Sequence, residues 1–536
     1  MKFKATKAEI MNSRFQVVDT KIIDGKTEKQ CKAQAGPGYV LSKIPTRYKV
    51  KTYLLFLYFS KEDGHFEKYE LGAIDELKRT TGDDIRQIGI NKGIVYVVNL
   101  KQVFNYLDIN FTIVSKLTGK DNRIYSAKTN TGLEFRDLLC KIPMFPHQIA
   151  ESLKVTDSFE AVRTLLQEMT ETGLTKITIA SDGLIDYKNR IGGESVFLKY
   201  FKGLAYEEDS YIRKSYRGGF LACNPSKTGH GYSFDINSSF PYVMVTELIP
   251  YGKPIKYTGK YKENQGYPLY IQRIIVDCSV KEGYLPCITS DEKQYLRDTL
   301  LPVEITLTAP DLKLLETYYD IHYIKYLDGY MFKGAYGFFD DFVNFHYTTK
   351  KAGANQLDVV KSKLLLNTLY GKMGAHPVHI QQGKATVGKI GRVDVSSFIS
   401  AYARFNIVTI CQQAQKHGIF RYCDTDSVHV EAESIPDFIK PYLDKKKLGA
   451  FKIEREFSEA IFIAPKCYTE KLIGINQWKL TASGVAEEVA KSVVTFDNFQ
   501  QSIEKGMEIQ NRFYKVNKDG IMEQHEVKFT LGGINQ

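Results

Sequence analysis

The stretch RYCDTDSVHV, residues 421–430, sets two carboxylates one residue apart between apolar and aromatic neighbours. Ionised carboxylates such as Asp424 and Asp426 are rarely buried unless they are paired or bind a metal. An Asp-Thr-Asp sequence on its own is most often a solvent-exposed turn, because Asp and Thr side chains hydrogen-bond to nearby backbone groups. A third carboxylate in a similar strand context would favour a metal site instead.

A third carboxylate lies near the end of the strand-like segment GYSFDI, residues 231–236. Asp235 is followed by a turn of small polar residues. The backbone N–H groups of Asn237, Ser238 and Ser239, at the entry to a helix, are suited to hold a phosphate. Asp235 taken alone is about as well explained as a turn or N-cap residue.

The segment KSKLLLNTLYGKMG, residues 361–374, predicts an amphipathic helix. On a helix, Lys363, Asn367, Tyr370 and Gly371 share one face. The residues expected on the opposite, core-facing side are Leu365, Leu366, Leu369 and Met373. A lysine for a triphosphate, a ring for a base and a glycine for close approach suit a nucleotide. An ordinary surface helix is the alternative, but Asn and Gly are poor helix formers and disfavour it.

The three segments FDINSSFPY, KLLLNTLYG and YCDTDS, in this order, resemble the polymerase motifs of family B DNA polymerases, whose patterns are DxxSLYP, KxxxNSxYG and YxDTDS. YRGGF (216–220) and KCY (466–468) resemble the YxGG and KxY segments of the same family. Residues 247–330, with LIPYGKPIKYTGKY near their start, resemble the first terminal-protein region of the protein-primed branch, the replicases of small phages with linear genomes. The second such insertion is short here, at 375–395.

The resemblance implies a role for each motif residue. Asp235 and Asp426 are expected to be catalytic and to hold two Mg²⁺ ions, for which Mn²⁺ could substitute, with Asp424 as an auxiliary catalytic acid. The residues expected to bind the incoming nucleotide are Lys363, Lys351, Asn367, Tyr370, Phe240, Ser238 and Ser239. The residues expected to contact DNA are Tyr216, Arg217, Gly218, Gly219, Lys466 and Tyr468. Phe240 takes the place of a family tyrosine that excludes the ribose 2′-hydroxyl, and its bulk predicts the same discrimination.

The fold implied is an α/β multidomain right-hand polymerase, with palm, fingers and thumb, preceded by an RNase H-like exonuclease-type domain. The exonuclease-like domain is expected at 1–195 and the first part of the palm at 196–246. The remaining expected units are the first terminal-protein region (247–330), palm and fingers (331–374), a short second terminal-protein region (375–395), palm (396–482) and thumb (483–536).

The N-terminal region departs from the family pattern of nuclease carboxylates. Asp19 lies in the strand-like RFQVVDTK, but Lys21 stands where a glutamate is expected. Asn99 is kept in VVNLKQVF, whereas Val103 replaces an aspartate, and no YxxxD sequence occurs in 158–172. A lysine in place of a metal ligand adds charge repulsion to the lost ligand. We therefore expect a degenerate exonuclease domain without 3′–5′ activity, retained as a scaffold and single-strand channel.

The composition fits this reading. The 536 residues carry a net charge of +11, which suits a polyanionic partner. The eight cysteines form no CxxC pair, and no apolar run approaches the roughly 20 residues that span a bilayer. We expect a monomer in the host cytoplasm, away from membranes, with primer-template DNA, dNTPs and a terminal protein as partners. A polymerase that uses ordinary or self-made primers and a catalytically silent nucleic-acid-binding relative are the alternatives.

Several local expectations accompany this reading. Ser158 is expected to cap a helix over 148–175, and the turn-rich 181–195 to form a domain boundary. Two helices joined around KKAGAN (350–355) are expected in 339–374, followed by a helix from 396. Lys466 and Tyr468 are expected on one face of a strand, and the C-terminal tail is expected to be helical.

Overall fold

The computed structural model describes residues 50–491 except 61, 120–121, 292–293, 354–355, 377, 382–383, 388–390, 475–477 and 483–490. It also describes residues 494–499, 517 and 521, together with the backbone of seven further strands near the chain ends and at 378–387. Most of the expected second terminal-protein region, 375–395, therefore lies outside the residues whose side chains are described.

The strands of the described residues are as follows. They are β1 (Ala5–Met11), β2 (Val17–Lys21), β3 (Val40–Lys43), β4 (Thr52–Phe59), β5 (Phe66–Ala73), β6 (Arg79–Gly82), β7 (Gly93–Val97), β8 (Ile113–Thr118), β9 (Ile124–Thr129), β10 (Leu133–Asp137), β11 (Leu221–Cys223), β12 (Ser226–Thr228), β13 (Gly231–Ile236), β14 (Ile249–Thr258), β15 (Leu269–Val280), β16 (Val303–Thr308), β17 (Tyr319–Ala335), β18 (Val378–Gln381), β19 (Lys384–Val387), β20 (Phe420–Asp424), β21 (Ser427–Glu431), β22 (Phe451–Ala464), β23 (Cys467–Leu472), β24 (Trp478–Ala482), β25 (Met507–Val516) and β26 (Met522–Leu531).

The α-helices of the same residues are α1 (Leu100–Asn110), α2 (Leu138–Lys141), α3 (Pro146–Leu153), α4 (Ser158–Glu171), α5 (Ile179–Arg190), α6 (Glu194–Tyr200), α7 (Tyr206–Ile212), α8 (Ser239–Thr246), α9 (Ala309–Tyr318), α10 (Asp340–Ala352), α11 (Gln356–Leu366), α12 (Leu369–Met373) and α13 (Val393–Lys416). Short 3₁₀ turns occur at Ile85–Gln87, Arg213–Ser215 and Lys440–Tyr442. Within the described ranges, no helix is long and apolar enough to cross a membrane.

The N-terminal domain is built on a mixed sheet of seven strands in the order β6-β5-β4-β7-β10-β9-β8. The central strands β4, β7 and β10 are parallel, and the outer strands pair antiparallel to them. This topology is the predicted RNase H-like arrangement. Strands β1, β2 and β3 form a separate three-stranded sheet.

The helices after the first sheet contradict two local expectations. Asp157, rather than Ser158, caps α4, because its carboxylate accepts the N–H groups of Phe159 and Glu160. The predicted turn-rich boundary at 181–195 instead contains most of α5 and the start of α6, separated by Gly192 and Gly193 with positive φ. The polar residues of this stretch suggest a loop, but tertiary packing of its apolar residues makes it helical.

One apolar core joins the N-terminal helices to the following domain. Leu165 of α4 and Tyr187 of α5 are buried in the same cluster as Val243 of α8, Phe339 and Ile399 of α13. The ring of Tyr187 stacks on Phe339 with centroids 4.8 Å apart. The two domains therefore share a hydrophobic core.

The central domain carries an antiparallel sheet in the order β11-β20-β21-β13-β22-β23-β24, with β12 pairing β22. The apolar residues of β13 and β20–β21 pack against α13, which the sequence predicts to start at 396 and which starts at Val393. The sequence predicts a strand pair around Asp424 and Asp426, which is present. It also predicts FKIEREF and IFIAPKCYTE as paired strands, but FKIEREF and IFIA belong to the single long strand β22, which pairs with β23.

Residues 249–335 form a sheet of their own in the order β14-β17-β15-β16, with α9 packed on it. Arg404 of α13 anchors this unit to the central domain. Its guanidinium donates to both carboxylate oxygens of Asp311 of α9, and both side chains are buried. Because both partners are buried, the removal of either one would leave an uncompensated charge in the core.

Residues 507–516 and 522–531 form strands rather than the helices expected of the C-terminal tail. Strands β25 and β26 pair antiparallel, with residues 517–521 between them in the sequence. Within these strands, MEIQ (507–510) and EVKFTL (526–531) alternate apolar and polar residues with a period of two, which is a strand pattern.

Two buried tyrosines offer a matched test of this packing. Within the described residues the hydroxyl of Tyr187 is buried without a hydrogen-bond partner, whereas the hydroxyl of Tyr319 accepts the N–H groups of Cys287 and Ile288 and donates to the carbonyl of Leu296. An unsatisfied buried hydroxyl costs about 1–3 kcal/mol. We expect Tyr187→Phe to raise the melting temperature in calorimetry and Tyr319→Phe to lower it; a lower value for Tyr187→Phe would contradict the assignment.

Candidate active site

The Asp-Thr-Asp sequence forms the tip of the β20–β21 hairpin. Asp424 pairs with Ser427, and the two residues between them make the turn. Thr425 adopts a positive φ of 63°, and its N–H donates to the carbonyl of Phe220 at 2.8 Å. The structure therefore combines a turn with a fixed orientation of the two carboxylates.

The third carboxylate reaches the same place from the neighbouring strand. β13 pairs with β21 so that Asp235 stands opposite Ser427, and the N–H of Ile236 donates to the carbonyl of Asp426 at 2.9 Å. A cleft of about 510 Å³ forms here. Its lining residues are Asp235, Phe240, Asn367, Tyr370, Asp424, Thr425, Asp426, Ser427, Glu454, Arg455 and Tyr468.

Two of the three acids contact lysines. The ammonium of Lys452 lies 2.7 Å from Asp235 Oδ1, and that of Lys466 lies 2.7 Å from Asp424 Oδ2. Burial, followed by the charges of Asp235 and Asp424, raises the pKa of Asp426 to about 7, and Lys452 partly offsets this. Because its negative charge is poorly neutralised by the surrounding protein, the carboxyl group of Asp426 is suited to bind metal cations.

The oxygen donors of this cleft suit Mg²⁺ or Mn²⁺. In the described ranges, no group of three or more His, Cys, Asp or Glu side chains is arranged to hold a metal ion unaided. Mg²⁺ is commonly held by one or two carboxylates together with water and substrate phosphates. Asp235 and Asp426 fit that mode of binding, since a substrate would complete the ligand set.

The nucleotide side of the cleft differs from the predicted single helix. α11 ends at Leu366 and α12 starts at Leu369, so Asn367 lies between two helices. The hydroxyl of Thr368 donates to the carbonyl of Leu365, which favours the break. The expected core-facing residues Leu365, Leu366, Leu369 and Met373 are all buried.

Two aromatic rings pack together at this edge of the cleft. Phe240 and Tyr370 stack with centroids 4.1 Å apart and an interplanar angle of 12°. The hydroxyl of Ser396 donates to the carbonyl of Tyr370, which fixes the position of α12. The residues predicted from two separate motifs therefore form one aromatic wall.

Lys350, rather than Lys351, lies beside Ser238 and close to Asp235. Its ammonium donates to Ser238 Oγ at 3.1 Å, and burial, together with the charges of Lys452 and Lys363, lowers its pKa. Lys351 is exposed and lies near Asp444. The sequence could not separate these adjacent lysines, because the rotation of α10 decides which one points inward.

The predicted phosphate cradle is only partly available. The N–H of Asn237 donates to the carbonyl of Ala450, and its side chain donates to that of Asp444. Asn237 therefore anchors a neighbouring loop. Ser238 has a positive φ of 55° and leads into α8, where Ser239 is buried.

The YRGG segment is held mainly by protein contacts. Arg217 is largely buried and donates to the carbonyls of Thr289 and Thr306, so it is not placed to reach DNA as expected. A Cβ on Gly219 would stand 2.7 Å from Thr425, whereas one on Gly218 would meet open space. Gly219 is therefore explained by the hairpin tip, and the ring of Tyr216 is mostly buried beside Gly374.

The KCY segment also differs from expectation. Lys466 lies in the turn between β22 and β23 with a positive φ of 59°, so it does not share a strand face with Tyr468. The ring of Tyr468 is buried against that of Tyr422. His429 Nδ1 lies 2.6 Å from Glu470 Oε1, and this pair is also buried. Lys466 reaches the cleft from the turn through its contact with Asp424.

The residues predicted from the nuclease pattern are scattered. Asp19 lies on β2, outside the seven-stranded sheet, and its side chain is not among those described. Asn99 precedes α1 with a φ of 50°, and Val103 is buried in the core. The central strand β4, TYLLFLYF, carries no acidic residue, and Lys141 and Asp182 form a fully buried ion pair.

Lys452, Lys350 and Arg455 are site residues that the motifs do not reveal. Lys452 belongs to FKIEREF, in which charged and apolar residues alternate. That alternation indicates a strand with one polar face but does not show which acid the face meets. Cross-strand register supplies that information.

Comparison with known proteins places the chain among DNA polymerases. A protein-family model described as DNA polymerase type B, organellar and viral, matches residues 154–444. The DNA polymerase of Bacillus phage Nf is 32% identical over 386 residues, which cover 64% of this chain and 67% of the relative. That of Bacillus phage phi29 is 32% identical over 379 residues, covering 62% and 64%.

A solved structure supports the same placement. Phi29 DNA polymerase complexed with primer-template DNA matches with a TM-score of 0.80 and 25% identity, over 90% of this chain and 100% of the other. Its ternary complex with incoming nucleotide substrates gives the same values.

Cation binding at the cleft is expected to strengthen as the pH rises through about 7, the pKa of Asp426. Below this pH the carboxyl is protonated, and a metal must displace the proton to bind. The affinity for Mn²⁺, measured by electron paramagnetic resonance, should rise about tenfold between pH 6 and pH 8. Asp426→Asn should bind Mn²⁺ weakly with little pH dependence; an equally pH-independent wild type would contradict the prediction.

Proposed function

This chain belongs to the family of type B DNA polymerases of organelles and viruses, and on that basis we propose that its cleft at Asp235, Asp424 and Asp426 adds deoxynucleotides to the 3′-hydroxyl of a primer. The protein is a DNA-directed DNA polymerase of the protein-primed, phage type. The observation that carries the proposed site is the convergence of residues from all three motifs on one cleft.

Asp235 and Asp426 are the proposed ligands of two Mg²⁺ ions, for which Mn²⁺ could substitute. When bound, such ions stabilise the attacking 3′-oxygen and the leaving pyrophosphate. Asp424 has an auxiliary role, because Lys466 already neutralises it. Asp426 has no ion pair among the described residues. The contact between Lys466 and Asp424 therefore supports Asp426 as the more important metal ligand of the two.

The lysines beside Asp235 are the proposed triphosphate site. Lys350 reaches Ser238 at the entry to α8, and Lys363 lies close enough to affect its pKa. Ammonium groups on flexible stems suit the oxygens of a phosphate chain. Asn367 and Tyr370 line the same cleft and would position the sugar and base.

The partners proposed are those of replication in a phage-infected host cell: primer-template DNA, dNTPs and a terminal protein that supplies the first hydroxyl. Phi29 DNA polymerase has been solved with primer-template DNA and with incoming nucleotide substrates. The sheet at 249–335 is the proposed terminal-protein contact. We propose that the chain acts as a monomer in the host cytoplasm. A priming assay with and without terminal protein tests this partner, because initiation on ordinary or self-made primers would not require it.

The N-terminal domain is proposed to lack 3′–5′ proofreading. β4 has no acid, Val103 is buried, and Lys141 neutralises Asp182 inside the core. A nuclease centre needs several carboxylates free to hold metal ions. The domain would then serve as a scaffold and guide for single-stranded DNA.

Primer extension tests the proposed function. With Mg²⁺, labelled primer-template and dNTPs, wild type should extend the primer, and Asp426→Asn should lose more than about 100-fold in rate because a metal ligand is removed. Asp424→Asn should lose less, because its carboxylate is already paired. Failure of the wild type to extend would instead support a silent nucleic-acid-binding relative.

Without dNTPs the primer should keep its length; shortening that persists in Asp235→Ala would contradict the absence of a nuclease.

Phe240 is expected to exclude ribonucleotides. Its ring is held against Tyr370 and would meet the ribose 2′-hydroxyl. Phe240→Ala should raise the ratio of ribonucleotide to deoxynucleotide incorporation by about tenfold or more, in line with lost steric discrimination of roughly 1–3 kcal/mol. Phe240→Tyr keeps the ring and is the control that should retain discrimination against ribonucleotides. An unchanged ratio in Phe240→Ala would contradict the role of Phe240 in this discrimination.

A further inference from the structure

Lys452 contacts the cleft without belonging to any of the polymerase motifs. It lies on β22 directly opposite Asp235 on β13, and its ammonium is 2.7 Å from Asp235 Oδ1. Its side chain is 38% exposed and that of Asp235 is 22% exposed. Opposite charges on directly paired residues of neighbouring strands attract each other, so the strand register itself maintains this contact.

The contact blocks a carboxylate that the proposed function needs. A divalent cation at Asp235 and the ammonium of Lys452 would compete for the same oxygen and repel each other. Lys452 is partly exposed and has a flexible four-carbon stem, so it can leave Asp235 without unfolding β22. The free energy holding a partly exposed pair is small, which makes the exchange feasible.

A bound polyanion would give the released ammonium of Lys452 a second partner in the same cleft. Lys350 contacts Ser238, and the charges of both Lys452 and Lys363 act on Lys350. These three lysines therefore surround the turn that follows Asp235. Once a metal takes up the charge of Asp235, the lysines form a cluster that only a polyanion can neutralise.

We propose that Lys452 is an exchangeable counter-ion, which pairs with Asp235 while the site is empty and moves to the nucleotide triphosphate when metal and substrate load. The proposal rests on the proposed function, since it assumes that Asp235 is a metal ligand. Lys452 then has two effects of opposite sign: it weakens metal binding to the empty site and strengthens triphosphate binding. A structural role alone would not produce this pair of effects.

The test uses three variants of the full chain. Lys452→Met keeps the length of the side chain and removes its charge, and Lys452→Arg keeps the charge. Lys227→Met removes one charge from β12, at an exposed position on the same sheet outside the cleft, and is the matched control. Thermal unfolding should show that all three fold as the wild type does.

Two binding measurements decide the outcome. Without nucleotide, Lys452→Met should bind Mn²⁺ about tenfold more tightly than wild type by electron paramagnetic resonance, whereas Lys452→Arg and Lys227→Met should not differ from it. In calorimetry at saturating Mg²⁺, Lys452→Met should bind inorganic triphosphate about tenfold more weakly than wild type, again unlike Lys227→Met. Unchanged or weaker Mn²⁺ binding by Lys452→Met, or unchanged triphosphate binding, would overturn the proposal.

The two levels of the proposal can fail separately. If the wild type fails to extend a primer but Lys452→Met shows both binding shifts, the proposed function fails and the exchange stands. If wild type extends primers and Lys452→Met shows neither shift, the function stands and Lys452 is merely a neighbour of Asp235. Asp235→Asn, which should lose Mn²⁺ binding, verifies that the metal signal comes from this cleft.

Discussion

The register of β13 between β21 and β22 is the constraint on which the cleft depends. Phe234 and Ile236 point into the core and are buried, so Asp235, between them, must point to the opposite face. A slip of one residue would bury the carboxylate and expose the apolar side chains. The same register sets Ser427 and Lys452 opposite Asp235, so one sheet pairing determines both the acids and the lysine that neutralises one of them.

Backbone strain is concentrated around this pairing. Six non-glycine residues in the described part of the chain have a positive φ, and three of them, Ser238, Thr425 and Lys466, adjoin the cleft. Such conformations cost about 1–3 kcal/mol each and persist where surrounding contacts hold them. Here the hydrogen bonds of the hairpin and of Lys350 provide that support.

The sequence predicts the main features of the fold and of the cleft, because the spacing of the motif residues reflects strand and turn geometry. It predicts the three acids, the two aromatic residues Phe240 and Tyr370, and the RNase H-like N-terminal domain. It does not distinguish Asp157 from Ser158 as a cap, or Lys350 from Lys351, since the members of each pair have similar chemistry and helix position decides between them. Arg217 is expected at DNA but is buried, because the carbonyls that it meets come from distant segments. The composition of 181–195 suggests a loop, whereas burial of Tyr187 favours helix.

The core shared by α4, α5, α8 and α13 has a consequence for how this chain can change over time. The N-terminal helices pack apolar side chains against α8 and the first half of α13, and the second half of α13 packs against the sheet that carries the cleft. Deleting the first domain would expose that surface to water, at a cost proportional to the apolar area. Selection can therefore relax the chemistry of the first domain while still preserving its helices, since the neighbouring domain requires them for its own stability.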